Sequence, residues 1–536
     1  MFHLRTRFAP VGVVLFLSIS AFAQEKSKPN VLFIAIDDLK PILGCYGNTQ
    51  IKTPNMDRLA ARGTVFLSNY VQQAVCGPTR ASLMTGKRPD YTKVWDLKTR
   101  MRDVNPDILS LPQYFISQGY TSQGIGKVYD PRCVDKEIDK PSWSIPYHKT
   151  NSKYYGVYGE PAEGRYQLPA TKTLVEQYMK EALAAGKTKE QANEYVQTKI
   201  KPTTESADVP DYAYTDGANV LQATDILGKL KTADQPFFLA VGLAKPHLPF
   251  VAPKKYWDLY DRADIQVAPF QGATKNPVSP AYHNSGEMRG YTDIPDLLSF
   301  TDQKAYGITL PIDKQKELIH GYYAAISYTD ANVGRLLAVL DSLNLTSNTI
   351  VVLWGDHGWH LGDHNLWCKH TNFEEATRAP LIISAPGYTP SKTSSLSEHV
   401  DIFPTVCDLA GLPIPAVLDG KSLRPLMKNP TASVKAYAIS QYPRSSSTAE
   451  NERLGYADPN AMGYSFRTKQ YRYTLWMGNG YRSDKPFDKN LIIGTELYDY
   501  KNDPLEKVNV SGDKKYAAIS KKMHAQVLAY FKSQIR

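Results

Sequence analysis

Cysteine is scarce in this chain of 536 residues: Cys45, Cys76, Cys133, Cys368 and Cys407 are all there is, and no two lie at metal-site spacing. A zinc ribbon or a disulfide framework is therefore excluded. Blocks of one charge are missing as well. The formal net charge is +10, but the basic residues are scattered, with no basic stripe or zinc-finger spacing, so no nucleic-acid partner is expected. Long apolar runs are also absent. The longest near the N-terminus, Val11 to Ile19, follows Arg5 and Arg7 and precedes Ala21-Phe22-Ala23, which reads as a signal peptide over residues 1–23. About nine apolar residues fall well short of the roughly 20 that span a bilayer. Without a cysteine after this stretch there is no lipid anchor either, so the expected product is secreted or periplasmic, with no membrane attachment once the leader is gone. In an exported chain with so few thiols, one set in a motif points to chemistry.

What is present is an α/β pattern. Residues Asn30 to Ile36 form a continuous branched apolar run, which predicts a strand buried on both faces. Similar runs occupy Phe237 to Leu243, Thr349 to Trp354 and Pro380 to Ser384, with helical patterns between them. The fold class is α/β, a large sheet sandwiched by helices. From Lys314 to Leu343 the positions Leu318, Tyr322, Ile326, Val333, Leu336 and Leu340 recur at helical spacing and predict a long helix over the sheet. Between Asp130 and Tyr214 the pattern weakens into a Tyr-, Pro- and Lys-rich insertion, near 131–214, with one helical stretch from Thr171 to Lys201. Short alternating strands near Tyr437, Tyr464 to Arg467 and Tyr471 to Trp476, then a helix over Lys514 to Ser533, predict a smaller C-terminal α+β subdomain. The expected organisation is a catalytic domain over 28–425 and a subdomain over 435–536.

Two of the predicted strands end in acidic residues, at Asp37-Asp38 and at Asp356-His357. Ligands of open α/β sheets gather beyond the carboxyl ends of strands, so these ends are expected to share a crevice. Taken singly such aspartates are helix caps or solvated loop carboxylates. Together, Asp37, Asp38 and Asp356 supply the oxygen ligands a hard cation prefers, Ca²⁺ before Mg²⁺.

The strongest motif is Cys76-Gly77-Pro78-Thr79-Arg80-Ala81-Ser82-Leu83-Met84-Thr85-Gly86. Pro78 suits the first turn of a helix, whose free amides and dipole attract an anion, and Arg80 adds a fixed cation. An isolated cysteine of this kind is more often a buried structural residue. The motif as a whole, however, resembles the sulfatase signature C-x-P-S/T-R followed by Thr-Gly. The chain is further similar to the iduronate-2-sulfatase branch in Gly86-Lys87-Arg88-Pro89-Asp90, Gly126-Lys127-Val128-Tyr129, Lys245-Pro246-His247-Leu248-Pro249-Phe250, Asp356-His357-Gly358-Trp359, Ser440-Gln441-Tyr442-Pro443-Arg444 and Met462-Gly463-Tyr464-Ser465.

That resemblance implies the mixed-sheet fold of sulfatases and alkaline phosphatase. It implies that a maturation enzyme oxidises Cys76 to formylglycine, whose hydrated form is the nucleophile. It implies a divalent cation on Asp37, Asp38, Asp356, the modified Cys76 and, in place of a common asparagine, His357. Lys127 and Lys369 would bind sulfate, and His247 would protonate the departing alcohol. The iduronate branch has a histidine three residues beyond the lysine of its Gly-Lys pair, where this chain has Asp130. Asp130 is then the replacement base, or another residue has taken over. Trp359 has an aromatic face suited to stacking on a sugar, although a tryptophan after a strand is more often packing.

The function expected is hydrolysis of a sulfate ester on a carbohydrate, including sulfated uronic acids. A phosphodiesterase or phosphonate monoester hydrolase is the alternative of the same superfamily. A glycan-binding protein without turnover is the alternative outside enzymes.

Overall fold

Four neighbouring parallel strands end on one side of the molecule, and each delivers a polar group there. The computed structural model describes Met1 and residues 28–283, 285–294, 310–445, 460–478 and 488–534. The signal peptide expected over residues 1–23, apart from Met1, lies outside these.

The central strand β1 (Asn30–Ile36) is buried at all seven positions, because it pairs in parallel on both sides and helices cover both faces. The other strands of the same sheet are β2 (Thr64–Tyr70), β3 (Thr121–Gly126), β4 (Phe237–Leu243), β5 (Thr349–Gly355), β6 (Leu381–Ser384) and β7 (Ser391–Glu398). Their order is β7-β2-β6-β5-β1-β4-β3. All pairings are parallel except those of β6, which runs antiparallel to β2 and β5, so the sheet is mixed. Ile36 lies level with Gly355 of β5 and Leu243 of β4, and this register brings Asp37 beside Asp356. Backbone bonds extend it, Asp37 N–H to Leu243 O at 3.0 Å and Asp356 N–H to Ile36 O at 3.0 Å. At the β3–β4 end the strands approach so closely that a Cβ on Gly242 would strike the backbone of Lys127. Only glycine fits there.

Six helices matter for the site and its cover. They are α1 (Cys76–Thr85), α2 (Pro169–Ala184), α3 (Lys189–Lys199), α4 (Thr215–Lys231), α5 (Ile312–Ser342) and α6 (Ala517–Gln534). The predicted long helix is α5, and its six apolar marker positions are all fully buried. Its Tyr322 hydroxyl donates to the carbonyl of Asp38 at 2.6 Å, so the cover also holds the end of β1. The single helix expected over Thr171 to Lys201 is instead two. The chain turns at Gly186, with φ +78°, and Thr188 opens α3 with a capping box through Gln191. A left-handed glycine followed by a new cap ends one helix and starts the next.

After residue 437 a four-stranded antiparallel sheet follows in the order β8 (Ala438–Ser445), β9 (Asn460–Arg467), β10 (Tyr471–Met477) and β11 (Ile492–Asp499). Met523, Val527 and Phe531 of α6 pack on it in one cluster with Tyr464, Phe466, Leu475 and Leu497. No helix among the described residues is long and apolar enough to cross a membrane.

Candidate active site

Cys76 is the first residue of α1, and all ten residues of that helix are buried. Pro78 sits in its first turn, as expected. Helix α1 is fastened to the strand ends by Thr79, whose hydroxyl donates to the carbonyl of Asp356 at 2.9 Å. The Cys76 thiol lies 3.5 Å from His357 Nε2 and 3.8 Å from Asp38 Oδ1. Burial and the Asp37 carboxylate push that thiol well above its ordinary range. An unmodified Cys76 is thus a poor thiolate nucleophile.

Arg80 is fully buried and does not face open space. Its Nε donates to Asp356 Oδ2 at 3.0 Å, its Nη2 to Asp37 Oδ1 at 3.1 Å and its Nη1 to the Val128 carbonyl at 3.0 Å. The side chain expected to meet an anionic ligand instead braces two carboxylates. Lys127, at the end of β3, donates to Asp37 Oδ2. Burial disfavours the ionised form of Asp37, but Lys127, His247 and Arg80 outweigh it and hold the carboxyl well below the usual range. Asp356 is raised by its burial and by the Asp37 charge.

His247 follows β4. Its Nδ1 donates to the Leu248 carbonyl at 2.6 Å, which turns Nε2 toward Glu287 Oε1 at 3.1 Å and Asp38 Oδ2 at 3.7 Å. Lys369 leaves a short hairpin formed by His360–Leu361 and Trp367–Cys368. Cys368 and His370, on either side of it, have φ of 74° and 75°, a conformation that costs free energy and is held by its surroundings. The Lys369 ammonium contacts both Asp38 oxygens at 3.0 Å and Glu287 at 3.1 Å. Trp359 is fully buried, stacked on Tyr322 at 6.3 Å and 5.0 Å from the Lys369 ammonium. It is packing under the lysine and has no face to offer a sugar.

Asp130 is nearly fully buried and gripped by Arg132 through Nε at 2.9 Å and Nη2 at 2.7 Å. Burial opposes its ionisation, but Arg132 and Lys127 overcome this and lower its carboxyl below the ordinary value. A carboxylate at this position is tolerable because its charge is matched on the spot.

Two overlapping sets of potential metal ligands emerge, Asp37, Asp38, Cys76 and His247, and Asp38, Cys76, Asp356 and His357, each with donor atoms within 4.8 Å of one another. The residues fit a hard cation. His357 Nδ1 donates to the Gly358 carbonyl at 2.8 Å, an acceptor that fixes the hydrogen on that nitrogen. Nε2 then faces Asp38 Oδ1 at 3.2 Å and Asp356 Oδ1 at 3.6 Å. A lone pair set against two carboxylate oxygens in a buried pocket calls for a positive centre among them.

In front of Cys76 opens a cavity of 720 Å³ lined by Lys127, Asp130, His247 and Lys369. Sequence reasoning missed several of its other lining groups: Glu287, Arg132, Arg165, Lys201 and Tyr291. Arg132 was signalled only by lying two residues after Asp130. The rest carry no motif and reach the cavity through long-range folding.

The sulfatase family profile matches residues 29–412, and a second profile, the C-terminal part of N-sulphoglucosamine sulphohydrolase, matches 362–533. Human iduronate 2-sulfatase is 34% identical over 90% of this chain and 91% of its own length. Two solved structures share the fold. Phosphonate monoester hydrolase of Agrobacterium radiobacter has a TM-score of 0.67 at 22% identity, covering 95% of this chain and 96% of that one. A protein in complex with its substrate D-glucosamine-2-N,6-O-disulfate has a TM-score of 0.66 at 21% identity, covering 95% and 98%. With the signature cysteine at a helix start beside converging carboxylates, and with these matches across nearly the whole chain, the protein belongs to the sulfatase family and is a sulfuric ester hydrolase.

Proposed function

We propose that this enzyme is exported and hydrolyses a sulfate ester of a carbohydrate, with Cys76 as the residue converted to formylglycine by a maturation enzyme. The observation that carries the reading is the cavity floor, where Cys76, Lys127, His247 and Lys369 meet beside the carboxylates of Asp37, Asp38 and Asp356. The carbohydrate reading draws on relatives whose names include iduronate 2-sulfatase and N-acetylglucosamine-6-O-sulfatase, the latter from Bacteroides thetaiotaomicron at 26% identity over 93% of this chain and 86% of its own length.

Formylglycine, once hydrated, supplies a geminal diol that attacks sulfur and then releases sulfate as the aldehyde returns. Asp37, Asp38, Asp356 and His357, with the modified Cys76, would hold a divalent cation, Ca²⁺ by the hardness of the oxygen donors, and it would supply positive charge beside the sulfate. The chain's own residues do the rest. Lys127 and Lys369 hold the sulfate oxygens. His247, oriented by its bond to the Leu248 carbonyl, gives the Nε2 proton to the alcohol as it leaves. Asp130 and Arg132 together occupy the place of the branch's usual histidine. Arg132, bonded to both Asp130 oxygens, keeps the Asp130 charge from repelling the sulfate.

The test is release of inorganic sulfate from a panel of sulfated glycosaminoglycan and algal oligosaccharides, beside an aryl sulfate and phosphate and phosphonate esters. At least one carbohydrate is expected to exceed the aryl sulfate in kcat/KM by roughly tenfold or more, the contribution of one or more charged hydrogen bonds. Faster turnover of a phosphonate or phosphate ester than of every sulfate would reject the reading.

A further inference from the structure

The cations near Cys76 fall into two groups. The inner ones are matched: Lys127 by Asp37, Lys369 by Asp38 and Glu287, Arg132 by Asp130. The outer ones are not. Arg165 and Lys201 line the same 720 Å³ cavity, and among the described residues neither forms an ion pair. Arg165 Nη1 is shut off from solvent without a hydrogen-bond partner. The Lys201 ammonium lies 4.6 Å from the centre of the Tyr291 ring, a face that favours a cation but does not neutralise it.

Both positions are built. Arg165 sits in a tight turn, its N–H donating to the Ala162 carbonyl at 2.9 Å. Lys201 exchanges two backbone-anchored bonds of 3.0 Å with Thr292, which fixes it beside Tyr291. The two cations repel each other. Burial lowers the Lys201 pKa first and the Arg165 charge lowers it further, against a smaller opposing pull from Glu287, which does not pair with it. Arg165 also borders an adjoining cavity of 220 Å³ with Asp37, Lys127 and His247, so its guanidinium stands between that space and the main cavity. Partly buried positive charges without partners are costly. An anion brought by a ligand removes that cost.

We propose that Arg165 and Lys201 form a second anion subsite, which receives a carboxylate or a further sulfate of the saccharide, on the reacting sugar or its neighbour. The subsite rests on the proposed carbohydrate sulfatase reading and deepens it: the enzyme selects saccharides that carry a second anionic group. The cavity volume agrees, since it lies in the roughly 300–1,000 Å³ range of pockets that enclose ligands much larger than a sulfate ester group.

The experiment separates this proposal from that reading by measuring binding without turnover. Dissociation constants are determined calorimetrically for the Cys76→Ala protein, alone and combined with Arg165→Met or Lys201→Met. Three disaccharides are compared: a monosulfate with no other charge, a monosulfated uronate and a disulfate. Methionine keeps much of the apolar length of either side chain, and thermal melting confirms the fold of each variant. Each substitution is expected to weaken the second-anion ligands by roughly ten- to a hundredfold and the simple monosulfate by less than about twofold. Whichever of the uronate and the disulfate loses more identifies the anion. Unchanged affinities, or equal losses on all three ligands, overturn the subsite. Those results stand whatever the sulfate-release assay shows, because they do not depend on catalysis.

Discussion

Arg80 shows how a residue read correctly as part of a motif takes a different part in the site. From sequence it is a cation placed for an anionic ligand. In the fold it is consumed by Asp37, Asp356 and two backbone carbonyls. Its removal strands two buried carboxylates, and breaking a buried pair from one side costs about 3–5 kcal/mol. Arg80→Met is therefore expected to lower stability by that order, read as a drop in the urea midpoint, and to weaken binding of the proposed divalent cation by calorimetry. An unchanged midpoint would show that the carboxylates find other partners. Cys76, Asp37, Asp38 and Asp356 were legible because their signals are local: a motif of a few residues, or a strand that ends in acid. Glu287, Arg165 and Lys201 were not, since nothing within several residues of each marks them. Of the two roles open to Trp359 in sequence, stacking on a sugar and packing, the fold takes packing, because Tyr322 and Phe250 close on it.

Strands declared themselves in proportion to how deeply they are buried. β1, β4 and β5 are buried throughout and stand out as apolar runs. β3 and β7, with Thr-Ser-Gln-Gly-Ile-Gly and Ser-Lys-Thr-Ser-Ser-Leu-Ser-Glu, lie at the sheet edges and carry no such signature. β11 escaped for a similar reason, and it holds an unusual group. Glu496 is buried, accepting from Trp476 Nε1 at 2.7 Å and Tyr498 Oη at 2.6 Å. Burial, with a contribution from Glu506, raises it from 4.5 to about 7. The folded state then keeps a proton that the unfolded chain gives up. This contribution is full below pH 4.5, falls as pH rises toward 7 and is absent above it. Across that window the wild type should lose on the order of 3 kcal/mol relative to Glu496→Gln, which does not titrate. Urea midpoints of both proteins at pH 5 and pH 8 give the comparison, and parallel changes would contradict it.

Across the whole molecule, the C-terminal sheet has a part in the site that its motifs did not reveal in sequence. Ser440 donates to the Val71 carbonyl at 2.6 Å and the Gln441 N–H to that of Gln72 at 2.7 Å, bracing the segment that leads into Cys76. Asn372 donates to the Gly463 carbonyl at 3.0 Å, and Arg472 joins Glu374 at 2.6 Å to Glu506 at 3.0 Å. These bonds steady the loop after Lys369. The blocks Ser440-Gln441-Tyr442-Pro443-Arg444 and Met462-Gly463-Tyr464-Ser465 thus serve the site by positioning segments that line it.

The central claim is that Cys76 acts only after its conversion to formylglycine. It is tested most directly by measuring, over preparations matured to different extents, the fraction of formylglycine at Cys76 by peptide mass spectrometry against the initial rate of sulfate release. The expected rate is proportional to that fraction, falling to zero with unmodified thiol and with Cys76→Ala. Full activity in a preparation whose Cys76 is entirely thiol would contradict it.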